Sequence, residues 1–214
     1  MTILALEFSS DRRGVAVATE GCVLSEVVHE GTRGTPVFGL ITRVLEQAGV
    51  GRGSVDALAV GLGPGSHTGV RLAISVAQGW QLATGIPVVG VGSLEVLASG
   101  VATEGDVLLA VNSQRGEFTV VEARDGVLIG GLRLLPVDAL ADRIRSGGMV
   151  AGPDLPAALA GGRVRHPSAA ILARLAIGRA PTPAEALAPV HLREAAFAKV
   201  RPRTPSAGAA GAGG

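Results

Sequence analysis

The sequence predicts an α/β protein made of two related lobes, the second reduced. Short apolar runs alternate with stretches of helical period, and the opening of the chain recurs in its second half. The 32 glycines and 12 prolines in 214 residues add the tight connections that many short elements need.

Ile3 to Leu6 reads as a strand, and Gly14 to Thr19 and Cys22 to Val28 read as a hairpin turning at Glu20-Gly21. Thr35 and Pro36 then start a helix. Val37, Leu40, Ile41, Val44, Leu45 and Ala48 recur at its period until Gly49 stops it. Ala57 to Val60 and Ile86 to Val91 read as strands joined by a helix over His67 to Thr84, a unit that favours parallel pairing. The first half is therefore βββαβαβ.

The second half repeats that opening, because Leu109-Ala110-Val111-Asn112 aligns with Leu4-Ala5-Leu6-Glu7. A polar stretch, a glycine, a β-type run and a turn at Asp125-Gly126 follow in the same order. Val137 to Ile144 and Ala169 to Ile177 read as helices, with Gly147-Gly148 and Gly161-Gly162 as turns. These signals divide the chain into an N-terminal lobe over 1–100, a smaller lobe over 101–200 and a tail over 201–214. The tail has almost nothing to bury and is expected to be disordered.

Composition excludes several classes of function. With 19 basic and 18 acidic side chains spread along the chain, no field gathers nucleic acid or anionic lipid. Cys22 is the only cysteine, which removes internal disulfides and cysteine-cluster metal sites and fits a reducing compartment. Glu7 interrupts the N-terminus before a signal-peptide core forms, and no apolar run reaches the roughly 18 residues of a membrane span, so a cytoplasmic protein is expected.

The most distinctive stretch is Gly61-Leu62-Gly63-Pro64-Gly65-Ser66-His67-Thr68-Gly69-Val70-Arg71, between a strand and a helix. Two readings fit it. Its glycines could bring amides at a helix start to a phosphate, or they could let the chain pack closely against another element. The P-loop spacing is absent and the only lysine, Lys199, is remote.

The residues Gly63, Pro64, Gly65, Ser66, His67, Thr68, Gly69, Val70 and Arg71 closely resemble the G-P-G-S-F-T-G-[LV]-R signature of the TsaB (YeaZ) family. Ile86 to Leu94, Arg115-Gly116-Glu117 and Pro189 to Arg193 resemble further segments of that family, so the likeness runs from Met1 to about Arg193. It implies an actin-like (ASKHA, RNase H-like) two-lobed fold. It also implies a non-catalytic partner of the TsaD ligase, which with the TsaE ATPase forms threonylcarbamoyladenosine beside the tRNA anticodon. The contact with tRNA would be indirect, and ATP or ADP would bind at the interface of the assembled complex rather than strongly to this chain alone.

Several positions depart from the family pattern: Glu7-Phe8-Ser9-Ser10 stands for D-T-S-T, His67 for Phe, Asn112-Ser113 for D-A and Gln78 for Lys. ATP-hydrolysing members of the wider fold place carboxylates after the first strand of each lobe to hold metal and water. Glu7 and Asn112 make a poor hydrolytic pair, and Glu7 reads more readily as a solvated strand end than as a metal ligand. Glu7, Ser9 and Ser10 are nonetheless the positions nearest any retained nucleotide.

His29, His67, His166 and His191 are isolated from one another, and Ser66 lacks the G-x-S-x-G elbow of a serine nucleophile. These absences count against the alternative reading, a free-standing sugar-kinase-like ATPase or glycoprotease-like peptidase. The resemblance instead implies that the helices over 36–48 and 68–84 form a four-helix contact with a related lobe, through Leu40, Val44, Val70, Ile74, Ala77 and Gln81. In the free protein that surface would pair with a second copy to give a homodimer. Arg71 is a candidate anchor for a partner carboxylate.

Overall fold

The computed structural model describes residues 1–31 and 34–190. The expected tail over 201–214, His191, Lys199 and the end of the segment over 189–193 lie outside the described residues.

Two five-stranded mixed sheets make up the frame. Thr2–Glu7 (β1), Arg12–Thr19 (β2), Val23–Glu30 (β3), Ala57–Gly61 (β4) and Val88–Val91 (β5) form the first, in the order β3-β2-β1-β4-β5. Val107–Asn112 (β6), Glu117–Arg124 (β7), Val127–Pro136 (β8), Met149–Gly152 (β9) and Arg163–Val164 (β10) form the second. Its order, read from the same edge, is β8-β7-β6-β9-β10. In each sheet the first strand pairs antiparallel with the second and parallel with the fourth, so the repeat read from Leu4 and Leu109 is a repeat of topology.

Both faces of the first sheet are covered, which is why β1 is apolar without alternation. Leu4 and Leu6 face Val37–Ala48 (α1) and His67–Thr84 (α2), while Ile3 and Ala5 face the opposite way. The periodic residues of α1 pack on β2 and β3, and Gly49 ends the helix at φ 66°. Ser66 caps α2 by accepting from the Gly69 amide, and Gly85 closes it at φ 76°. The hairpin between β7 and β8 turns at Asp125 and Gly126, both at positive φ, as its Asp-Gly pair predicts.

Two helices lie between the sheets. Ser93–Gly100 (α3) follows the first sheet yet sends Leu94, Leu97 and Ala98 into the core of the second. Ala169–Ala176 (α5) follows the second sheet yet buries Leu172, Ala173 and Ala176 against the first. On the outer face of the second sheet, Val137–Arg145 (α4) inserts Leu140 among Leu108, Val120 and Val150. Between β9 and β10 there is only a single turn, Ala157–Leu159, where the first lobe has the 18-residue α2. That difference is the reduction expected of the second lobe.

Glu26 on β3 ties α5 to the first sheet. Its Oε1 accepts from the Ser168 hydroxyl at 2.9 Å and the Ala170 amide at 3.0 Å. A carboxylate at a helix start satisfies free amides and complements the helix dipole. Glu26→Ala is therefore expected to lower stability by about 1 kcal/mol in urea titrations, with the fold retained.

Candidate functional site

The signature loop joins β4 to α2, and its glycines are spent on close packing. The Ser66 amide donates to the Ser9 carbonyl at 2.7 Å. A Cβ at Gly65 would collide with that same carbonyl, and one at Gly69 with the carbonyl of Phe8. The loop therefore lies backbone against backbone on the turn between β1 and β2, and of the two readings of its glycines the packing one describes this contact. Gly63, at φ 82° and joined to Pro64 by a cis peptide bond, forms a second clasp. Its carbonyl accepts from the Ser93 amide at 2.7 Å, and its amide donates to the Ser93 hydroxyl at 3.0 Å.

Glu7 sits beneath this loop with 1 % of its surface exposed, so it is not the solvated strand end expected from sequence. Its Oε1 accepts from the Ser9 amide at 2.9 Å, and the Ser93 hydroxyl lies 3.1 and 3.0 Å from its two oxygens. Gly61 makes room for the carboxyl, since a Cβ there would overlap it. Burial raises the proton affinity of Glu7 above the ordinary value of 4.5, against the opposing effect of the Ser9 and Ser93 hydrogen bonds.

At the corresponding end of β6, Asn112 Oδ1 accepts from the Gln114 amide at 2.8 Å. Both side chains thus hold the backbone two residues on and turn the chain out of the central strand of their lobe. Among the described residues, no group of three or more His, Cys, Asp or Glu side chains is placed to hold a metal ion.

The sequence profile of the family described as "TsaD: tRNA N6-adenosine threonylcarbamoyltransferase" matches residues 36–164. The tRNA threonylcarbamoyladenosine biosynthesis protein TsaB of Escherichia coli is 32 % identical over 123 residues, 55 % of this chain and 52 % of that protein. Its Haemophilus influenzae counterpart is 35 % identical over 100 residues, 46 % of this chain and 42 % of that protein. The chain spans about half the length of the curated relatives it matches. A Pseudomonas aeruginosa crystal structure, described as having similarity to peptidase YeaZ, superposes with a TM-score of 0.71 at 29 % identity, covering 90 % of this chain and 99 % of that one. The chain belongs to the TsaB (YeaZ) family, among the TsaD-like proteins.

The TsaB signature loop is therefore anchored here by Ser9 and Ser93, and Ser93 was not singled out from sequence. The polar groups expected near a nucleotide are internally engaged. The Ser9 amide and carbonyl are used as described, and the Ser10 hydroxyl donates to the Arg12 carbonyl at 3.1 Å. His67, Thr68 and Arg71 are exposed at the start of α2.

The residues expected at a TsaB-type partner interface require correction. Leu40, Val44, Val70, Ile74 and Ala77 are buried in the chain's own core, and Gln81 is half-buried. A stripe at helical period faces the sheet beneath it, so the outward surface belongs to the residues between. On α1 that surface carries Phe38, 68 % exposed, and on α2 it carries Leu82, 90 % exposed, with Arg71, Ser75, Gln78 and Gly79 along the same helix. Large apolar side chains left in water at intermediate helical positions were the signal available in the sequence.

One cluster spans the two lobes. His166 Nδ1 lies 3.3 Å from Ser10 Oγ and 3.6 Å from Asp11 Oδ1. Asp154, after β9, has its proton affinity raised by burial and by Asp11, with His166 opposing. A serine, a histidine and an aspartate meet here, but the serine and the aspartate face the same ring nitrogen. A nucleophilic relay needs them on opposite nitrogens, so this cluster does not assemble a peptidase triad.

Proposed function

We propose that this chain is a non-catalytic TsaB-type subunit that binds and activates a TsaD-type ligase in forming threonylcarbamoyladenosine in tRNA. It acts in the cytoplasm with a TsaE-type ATPase, meets tRNA only through the assembly, and pairs with a second copy when alone. Family membership supports the pathway. The outward face of α1 and α2 supports docking, because Phe38 and Leu82 contribute nothing to the chain's own core. Activation by such a subunit is selective stabilisation of one partner conformation, so it requires no reacting group on this chain. The buried, clamped Glu7 and the locally bonded Asn112 disfavour the alternative of a free-standing ATPase.

The test is co-purification and titration with the cognate TsaD-type protein, followed by tRNA modification with and without this chain. Phe38→Glu with Leu82→Glu is expected to weaken the complex at least tenfold and to reduce modification in parallel. Thermal stability should stay nearly unchanged, because both sites are exposed. Modification that proceeds equally without this chain, or a complex indifferent to both substitutions, would overturn the proposal.

A further inference from the structure

Arg13 on β2 has 4 % of its surface exposed, and its Nε is buried without a hydrogen-bond partner. Its neighbour Arg12 pairs with Glu30 at 3.9 Å, whereas no ion pair found among the described residues includes Arg13. An arginine this deeply buried, with a donor cut off from water and no anion found beside it, is costly, and buried charges are ordinarily paired.

Its position suggests what would pair with it. Val15 and Val17 send their side chains into the core under α1 and α2, and the intervening Gly14 faces Ala169 of α5. Arg13 shares the parity of Val15, so it lies on the α1 and α2 face, opposite His29 of β3. The Ser25 hydroxyl donates to Gln47 Oε1 at 3.0 Å, which sets the C-terminal end of α1 beside the start of β3. The first turn of α1 therefore lies toward the His29 and Arg13 end. α2 begins at this same end of the sheet, beside Phe8 and Ser9.

No side chain caps α1, and Thr35 Oγ1, two residues before its first turn, is buried without a partner. A helix start carries roughly half a positive charge, so the start of α1 and the guanidinium together favour an anion. A phosphate has enough acceptor oxygens to take bonds from the guanidinium, the helix amides and the threonine hydroxyl together, more than the two oxygens of a carboxylate. We infer that Arg13, Thr35 and the first turn of α1 form a binding site for a phosphate group. Arg13 supplies a planar set of donors, the helix supplies amides, and the threonine hydroxyl supplies one further donor.

Titration of the full chain with inorganic phosphate at constant ionic strength tests the site. Saturable binding is expected in calorimetry, with a rise in Tm of roughly 5 °C or more at a hundredfold excess over Kd. Arg13→Gln should weaken binding at least tenfold, and Arg13→Lys should retain part of it. ADP, adenosine and phosphate in parallel separate the sources. ADP binding much tighter than phosphate, with adenosine silent, assigns the site to a nucleotide's terminal phosphate, and equal binding assigns it to free phosphate. Should Arg13→Gln fail to fold, the ring protons of His29 in the unaltered protein decide, since phosphate at Arg13 must shift them. No saturable response, an unmoved His29, or an equal response in a folded Arg13→Gln protein would overturn the inference.

Discussion

Replacing Gly69 by alanine is expected to destabilise the protein by roughly 4 kcal/mol or more, and replacing Gly65 by alanine to do at least as much. The cause in both cases is backbone meeting a new methyl group. At Gly69 the obstacle is the Phe8 carbonyl, and at Gly65 it is the Ser9 carbonyl that also accepts the Ser66 amide. Neither can rotate aside as a side-chain tip can, because both belong to the turn that leaves the central strand of the sheet. Gly65 adds conformational strain, since its φ of 151° is one that L side chains rarely adopt. Gly79, with open space around its Cβ direction in the same helix as Gly69, is the control. Gly79→Ala should stabilise by about 0.5–1 kcal/mol, because the only change is lost freedom in the unfolded chain and better helix propensity. Urea titrations of the three variants check all of this, and a well-folded Gly69→Ala protein would mean that loop and turn are not in close contact.

The contrast between these glycines shows where sequence reading stops. Local chemistry was legible: Asp125-Gly126 as a hairpin turn, Gly49 as a helix stop, and the matching runs at Leu4 and Leu109 as the opening strands of two related lobes. Each of these depends on residues a few positions apart. The stripe of Leu40, Val44, Val70, Ile74 and Ala77 was equally legible as a stripe, but periodicity reports only that one face is apolar, and here the chain's own sheet takes it. Which sheet α5 covers was not legible either, because an amphipathic helix carries no address for its partner. The burial of Glu7 depends on Ser93, 86 residues away, and on Gly61 leaving its Cβ space vacant. Such pairings exist only once β1, β4 and α3 are brought together, and no local pattern encodes them.

Glu7 turns that long-range burial into a measurable dependence of stability on pH. In the unfolded chain its carboxyl loses a proton near the ordinary 4.5, and in the folded chain burial delays the loss to higher pH. Between those two points the native state binds more protons than the unfolded state, so this group's contribution falls as pH rises and levels off above the folded value. Each tenfold increase in proton affinity corresponds to about 1.4 kcal/mol lost across that window. Glu7→Gln should flatten the profile, because an amide keeps an acceptor for the Ser9 amide and the Ser93 hydroxyl without titrating. Glu7→Ala should also flatten it, but at a cost of about 2–4 kcal/mol in mild acid, where the native carboxyl is neutral. It strands the buried Ser9 amide and leaves a void beside Gly61. Urea denaturation midpoints for the three proteins from pH 4 to pH 8 provide the measurement. A wild-type profile parallel to that of Glu7→Gln would show that the carboxylate is as well solvated inside the protein as outside it, and the account of Glu7 as a buried clamp would fail.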